Sequence, residues 1–168
     1  MYKFILLLVC GFCFWCSAIA GASSFDDVAK ARSCHHCGMD REVFNYSRML
    51  ITYADGTVVA VCSINCAATE LYHNKGKKVS SLKVADFTTK QLLDVNAATW
   101  VIGGSKRGVM TTVPKWAFAK SEDARKFVAG NGGTVCSFDT AIDAAIKEVK
   151  EQEAESRKVQ QEMHSETH

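Results

Sequence analysis

The chain is expected to be an α+β protein, with two tandem ββαβ repeats near residues 49–84 and 99–138 followed by a C-terminal helix. Three observations lead to that fold class. The order strand, strand, helix, strand is written twice in the hydrophobic pattern, with turn residues between the segments. The length of 168 residues suits one compact domain and leaves no room for a large multidomain enzyme. A hydrophobic content of 48% with 23% charged residues is ordinary for a globular chain and argues against wholesale disorder.

Taken in order, the first segment is a targeting signal. Lys3 precedes a run without charge from Phe4 to Phe25, and Ala18-Ile19-Ala20 supplies the small-residue exit of a secretory signal over residues 1–20. An uncleaved anchor is the competing reading, because the run approaches the ~20 residues that span a bilayer. Lipidation fits poorly: Val9, Phe12 and Trp15 precede the cysteines where a lipobox wants a small side chain. The expectation is export to the periplasm, with membrane association through the N-terminus left open. Residues 21–32 read as a polar leader.

Met49-Leu50-Ile51-Thr52-Tyr53 is a strand, Asp55-Gly56 a tight turn, and residues 57–62 are apolar and β-branched, so together they form a hairpin. Ser63 or Asn65 can cap a helix from about Cys66 to Asn74, after which residues 79–84 return as a strand. The second round starts with Thr99-Trp100-Val101-Ile102 and continues, extended, over residues 110–119, where Pro114 points to an edge or a bulge. Ser121, with Glu122 and Asp123 behind it, is the expected cap of the next helix. Asn131-Gly132-Gly133 stops that helix and residues 134–138 close the unit. A last helix then carries Ile142, Ala145, Ile146 and Val149 on one face and fades beyond Glu151 into a frayed, solvated tail containing His164 and His168. Trp100, Trp116, Phe118 and Phe127 are core candidates.

The total of 8 cysteines has to be divided before it carries meaning. Cys10, Cys13 and Cys16 lie in the signal, which leaves Cys34, Cys37, Cys62, Cys66 and Cys136. An odd count in an exported chain argues against a fully paired disulfide framework. Cys136, in the last strand, reads as a buried inert thiol. The other four form two close pairs. Cys34 and Cys37 share one short turn, and Cys62 and Cys66 are one helical turn apart at a strand-to-helix junction, where the helix dipole favours thiolate.

Such a set serves a structural zinc site of four cysteines, disulfide exchange, or a soft copper(I) site. No βαβ unit leads into the C-x-x-C pair, which weakens the redox reading. Met39, just past Gly38, and Met110, after Gly108-Val109, would extend the sulfur set toward copper if they are more than core filler. Zinc and copper stay level on these grounds. A formal net charge of +2 gives no basic face for nucleic acid. There is no Ser/His/Asp set, carboxylate pair or phosphate-binding glycine loop, so no catalytic residue is assigned.

The residues Cys34-x-x-Cys37-Gly38-Met39, Val61-Cys62-Ser63, Gly108-Val109-Met110-Thr111, Trp116-Ala117-Phe118-Ala119 and Gly132-Gly133 run in the order of the NosL family, which the chain resembles over about residues 33–139. The resemblance implies a non-enzymatic, exported copper(I) metallochaperone of nitrous oxide reductase maturation, with a duplicated ββαβ architecture similar to part of organomercurial lyase. It makes residues 21–139 a copper-binding domain and 140–168 a helix with a polar tail. The implied partner is a copper acceptor, nitrous oxide reductase or its assembly machinery, or the acceptor of another copper pathway. Carried across by motif, the implied ligands are Met110 and the opening Cys34, Cys37 and Met39, and the close pair Cys62 and Cys66 is expected next. Two features depart from the family. His35 and His36 stand where C-P-x-C is commoner, adding two nitrogen donors, and the residues before the N-terminal cysteines make a poor lipobox. The alternatives are a binding module stabilised by Zn(II) on four cysteines, in place of Cu(I), or a thiol-disulfide oxidoreductase.

Overall fold

A computed structural model describes residues 25–165, so the signal expected over residues 1–20 lies outside the described residues. A short helix, α1 (Asp26–Lys30), precedes the first repeat, β1 (Met49–Tyr53), β2 (Val58–Val61), α2 (Ile64–His73) and β3 (Val79–Ala85). A short strand β4 (Leu92–Asp94) leads to the second repeat, β5 (Thr99–Ile102), β6 (Lys115–Phe118), α3 (Ser121–Asn131) and β7 (Thr134–Cys136). The chain ends in α4 (Phe138–Ser165).

Both repeats fold alike. In each, the first strand is central, flanked by its hairpin partner and by the strand that follows the helix: β2-β1-β3-β4 in one sheet and β6-β5-β7 in the other, with all pairings antiparallel. The α+β class and the doubled ββαβ unit are therefore present, with β4 as an added edge strand.

Period-2 burial sets the first sheet. Met49, Ile51 and Tyr53 point inward and are almost wholly buried, while Leu50 and Thr52 face outward. At the hairpin, Gly56 takes φ +87° and the Asp55 carboxylate accepts from the Thr57 amide at 2.8 Å. The inner face packs on α2, and α4 lies across α2 and β5, with Ala67 and Ala68 in one core with Ala141, Ala145 and Val149. A second core joins Val101, Trp116, Phe118, Ala124 and Phe127, with Phe87 and Tyr46 packed against it. The expected core aromatics Trp100, Trp116, Phe118 and Phe127 are all buried. Asp86 links the halves, accepting from the Ala119 amide at 2.9 Å, while the Phe87 amide donates to the Ala117 carbonyl at 2.8 Å.

Several local expectations are corrected. The polar leader contains α1, whose Asp27 accepts from Arg41 and Arg48, both buried. Ser121 is not a cap: Lys120 holds that position without a side-chain bond, and Ser121 opens the helix. Of the extended stretch 110–119, only residues 115–118 pair as strand. The preceding loop satisfies its polar groups elsewhere, with the Pro114 carbonyl accepting from the Gly103 amide at 2.8 Å. Pro114 thus sits just before an edge strand. Beyond Glu151 the chain does not fray but stays helical to Ser165, exposed on nearly all sides. Strong helix formers and spaced pairs such as Glu153 with Arg157 (3.7 Å) carry it without a core. Among the described residues, no helix is long and apolar enough to cross a membrane.

Candidate metal centre

The first cysteine pair sits on a turn that the backbone closes on itself. The Cys34 amide donates to the Met39 carbonyl at 2.8 Å, and the Gly38 amide donates back to the Cys34 carbonyl at 3.0 Å. Gly38 has φ +73°, a conformation glycine adopts at little cost. The His35 amide donates to the Ala60 carbonyl at 3.0 Å, docking the turn on the free edge of β2. Arg41 fastens its far side, donating through Nε to the Val61 carbonyl and through Nη2 to Asp27 at 2.7 Å.

The second pair is placed by a helix cap. Cys62 directly follows β2, and the Ser63 hydroxyl accepts from the Cys66 amide, which starts α2 with Cys66 in its first turn. That turn carries no acidic residue, so the positive end of the helix faces sulfur. The result is a compact group: one sulfur from each of Cys34, Cys37, Cys62 and Cys66, all within 4.8 Å of one another. Cys37 Sγ lies 3.4 Å from Cys62 Sγ, and Cys62 Sγ lies 3.7 Å from Cys66 Sγ. Four thiolates bound tetrahedrally at about 2.3 Å from one ion stand about 3.8 Å apart, so the donors are spaced for a single soft ion, zinc or copper(I) alike. Cys34, Cys62 and Cys66 are buried and Cys37 is partly exposed, which makes Cys37 the outward member.

The protons are shared unequally. Hydrogen bonds from the Cys62 and Cys66 thiols favour the thiolate at Cys34 and outweigh its burial, holding it well below the usual thiol range. The Cys62 amide adds a bond to Cys34 Sγ at 3.3 Å. The same contacts with Cys34, reinforced by burial, push Cys62 and Cys66 upward. The group therefore concentrates negative charge at Cys34.

The remaining expected donors occupy distinct places. His36 Nε2 is 2.9 Å from Glu70 Oε2, and the buried Glu70 also accepts from Tyr53 Oη (2.7 Å) and from Asn74. Burial raises Glu70, but the bonds from Tyr53 and His36 outweigh it and leave the carboxyl below its ordinary range. His36 is thus tied to α2 one turn past Cys66. His35 is exposed, with its ring edge-on to that of His36, and neither histidine belongs to the compact sulfur group. Met39 is half-buried against the core that contains the thiols. Met110, on the loop between β5 and β6, is 48% exposed with φ +55°, between buried Val109 and Thr111. Cys136 is only partly buried, and burial raises its thiol.

Two carboxylates escaped the reading of the sequence. Glu70 lies four residues after Cys66, on the same helix face, a spacing that was available as a signal. Glu148 interrupts the apolar face of α4 and is buried with Lys115, whose place in a strand of apolar residues was the other available hint.

Comparison with known proteins gives the geometry its context. The solved structure of the copper chaperone NosL from Shewanella denitrificans is similar in fold, with a TM-score of 0.52 over 65% of this chain and 88% of that one at 22% identity. The HTH-type transcriptional repressor CutR of Bacillus subtilis (strain 168) is 28% identical over 105 residues, which is 62% of this chain and 54% of the repressor, so the chain spans about half of that relative. The NosL family model matches residues 25–146, most of the chain and all of the sulfur site, and the chain belongs to the NosL family.

Proposed function

We propose that the protein is an exported metallochaperone that holds copper(I) on this sulfur cluster and hands it to a partner enzyme, nitrous oxide reductase or its assembly machinery. The observation that carries the reading is the set of four mutually close thiols, three buried and one at the surface. Buried thiolates hold a soft ion away from water and oxidants, while the half-exposed Cys37 gives an incoming ligand a point of attack. Transfer then proceeds by ligand exchange, with the partner's thiol, thioether or imidazole replacing these donors one at a time. Met110 completes the set as a thioether, a donor with little use to zinc. The fold shared with a copper chaperone supports the same reading. The chaperone catalyses no reaction of its own. Export rests on the apolar run of residues 1–20, and the mass of the protein recovered from cells tells cleavage from retention as an anchor.

Anaerobic copper(I) titration against a competing chelator, with zinc(II) in parallel, tests the assignment. Tight copper(I) binding that weakens in Met110→Ala is the expected result. The second reading, a zinc module built on the four cysteines, is favoured by sulfur separations that suit tetrahedral zinc. Unfolding on zinc removal with Met110→Ala silent would establish it instead. Sustained disulfide turnover dependent on Cys34 and Cys37 would make the protein an oxidoreductase.

A further inference from the structure

Among the described residues, the most heavily coordinated carboxylate outside the sulfur site is Glu148, on α4. Its Oε2 accepts from Asn65 Nδ2 at 2.7 Å, Thr111 Oγ1 at 2.6 Å and Lys115 Nζ at 3.0 Å. Its Oε1 accepts from Thr112 Oγ1 and from the Val113 amide, both at 2.9 Å. Lys115 Nζ in turn donates to Thr111 Oγ1 and to the Val113 carbonyl.

These donors come from two distant segments, and each abuts a sulfur residue. Asn65 immediately precedes Cys66 in the first turn of α2. Thr111 immediately follows Met110. One buried carboxylate therefore joins the loop that bears the thioether to the helix that bears a buried thiol. The Met110 backbone is itself distinctive: it is left-handed, at φ +55°, which non-glycine residues rarely adopt, and it carries a half-exposed thioether beside the buried Val109. Such a backbone persists where its surroundings over-determine it, and here Val109 on one side and the Glu148 bonds on the other do so.

We propose that Glu148 is a positioning residue that sets Met110 at the α2 end of the thiol cluster, so that thioether and thiols act as one copper(I) site. The proposal rests on the reading above that Met110 is a copper(I) ligand. Glu148 touches no metal; it acts through the loop, as partners of metal ligands do when they fix a donor's orientation.

The test is a cycle of wild type, Glu148→Gln, Met110→Ala and the double variant, with copper(I) and zinc(II) affinities measured anaerobically by chelator competition. Glu148→Gln should weaken copper(I) binding by about 10–100-fold, as loss of such a partner does. It should match Met110→Ala, the double variant should lose no more than either single one, and zinc(II) binding by the thiols should stay unchanged in all four. If Glu148→Gln does not fold, Thr111→Val and Thr112→Val remove only the loop's side-chain bonds and enter the same cycle. Independent losses that multiply, copper(I) binding unaffected by Glu148→Gln, or a parallel loss of zinc(II) binding would overturn the proposal. A silent Met110→Ala in a protein that binds copper(I) tightly overturns it too but spares the chaperone reading, whereas failure of the wild type to bind copper(I) overturns both.

Discussion

Replacing Asp27 with alanine should destabilise the protein more than any other single change near its N-terminus. Asp27 accepts from Arg41 Nη2 at 2.7 Å and from Arg48 Nε and Nη2, both at 2.9 Å. Both arginines are essentially inaccessible to solvent, and each also donates to backbone carbonyls, Arg41 to Ala31 and Val61, and Arg48 to Asn45 and Lys90. Deleting the carboxylate leaves two buried guanidiniums sharing no counter-charge. Breaking a buried pair in this way costs about 3–5 kcal/mol. The lower end applies, because Asp27 is slightly exposed and α1 is short enough to admit water. About 3 kcal/mol corresponds to a fall of roughly 10 °C in Tm for a domain of this size. Thermal unfolding followed by far-UV circular dichroism measures it, and Asp27→Asn, which keeps the shape and loses the charge, should fall between. The acid limb adds a sign. Burial alone would raise Asp27, but Arg48 and Arg41 hold it below the usual range, so its contribution is complete above the unfolded carboxyl value and fades as pH drops through the folded one. A Tm of Asp27→Ala within about 2 °C of wild type would refute the reasoning, since the arginines would then be solvated despite their burial.

Glu148 gives a second acid-dependent term. Burial opposes its charge, yet bonds from Thr111, Asn65, Lys115 and the Val113 amide bring it down to about 2, so the stability it adds is whole above about pH 5 and disappears as pH falls toward 2. The difference in denaturation midpoint between wild type and Glu148→Gln should shrink over that window. Ser63→Ala removes the cap of α2 and should cost about 1 kcal/mol in chemical denaturation. Gly104→Ala should destabilise the β5–β6 loop, visible as faster hydrogen exchange there, because its Cβ would stand 2.8 Å from the Asn131 carbonyl oxygen at φ +95°. Among the four clustered thiols of the metal-free protein, Cys37 should alkylate first in timed iodoacetamide labelling with peptide mapping, and bound copper(I) should protect it.

The pattern of the two repeats is legible because it rests on local rules. Alternation in Met49-Leu50-Ile51-Thr52-Tyr53 and the Asp55-Gly56 turn dictate a hairpin wherever it later packs. The pairing of Cys34 and Cys37 with Cys62 and Cys66 is legible for a related reason: short spacings force proximity within each pair, and two such pairs of soft donors invite a common centre. What stays hidden depends on long-range contact. Nothing local to Asp27 marks it as the partner of Arg41 and Arg48, and an acidic residue in a polar leader looks solvated. Glu148 and Lys115 are hidden likewise, since each is an ordinary charge until the fold buries them together. The helix beyond Glu151 misleads for the opposite reason, because loss of an apolar face suggests loss of helix where propensity alone sustains it.

The doubled fold shows how one scaffold was turned to sulfur chemistry. Where β2 leads into α2 the chain reads Val61-Cys62-Ser63, with Cys66 third in the helix. At the equivalent junction of β6 and α3 it reads Phe118-Ala119-Lys120, with Asp123 third in the helix. Ser63 and Lys120 are the two N-caps, so Cys62 corresponds to Ala119 and Cys66 to Asp123. In the second unit Glu122 and Asp123 neutralise the positive helix end in the usual way. In the first no acid is present: Asn65 stands in the place of Glu122 and the thiol of Cys66 in that of Asp123. A helix end left without carboxylates still favours negative charge nearby, and the only acidic groups supplied to it by its own first turn and the preceding strand are sulfhydryls. The same element that merely starts a helix in one repeat presents two thiols in the other, and the turn carrying Cys34 and Cys37, docked on the edge of β2, brings to them the sulfur on which the negative charge settles, completing the cluster there and nowhere else among the described residues.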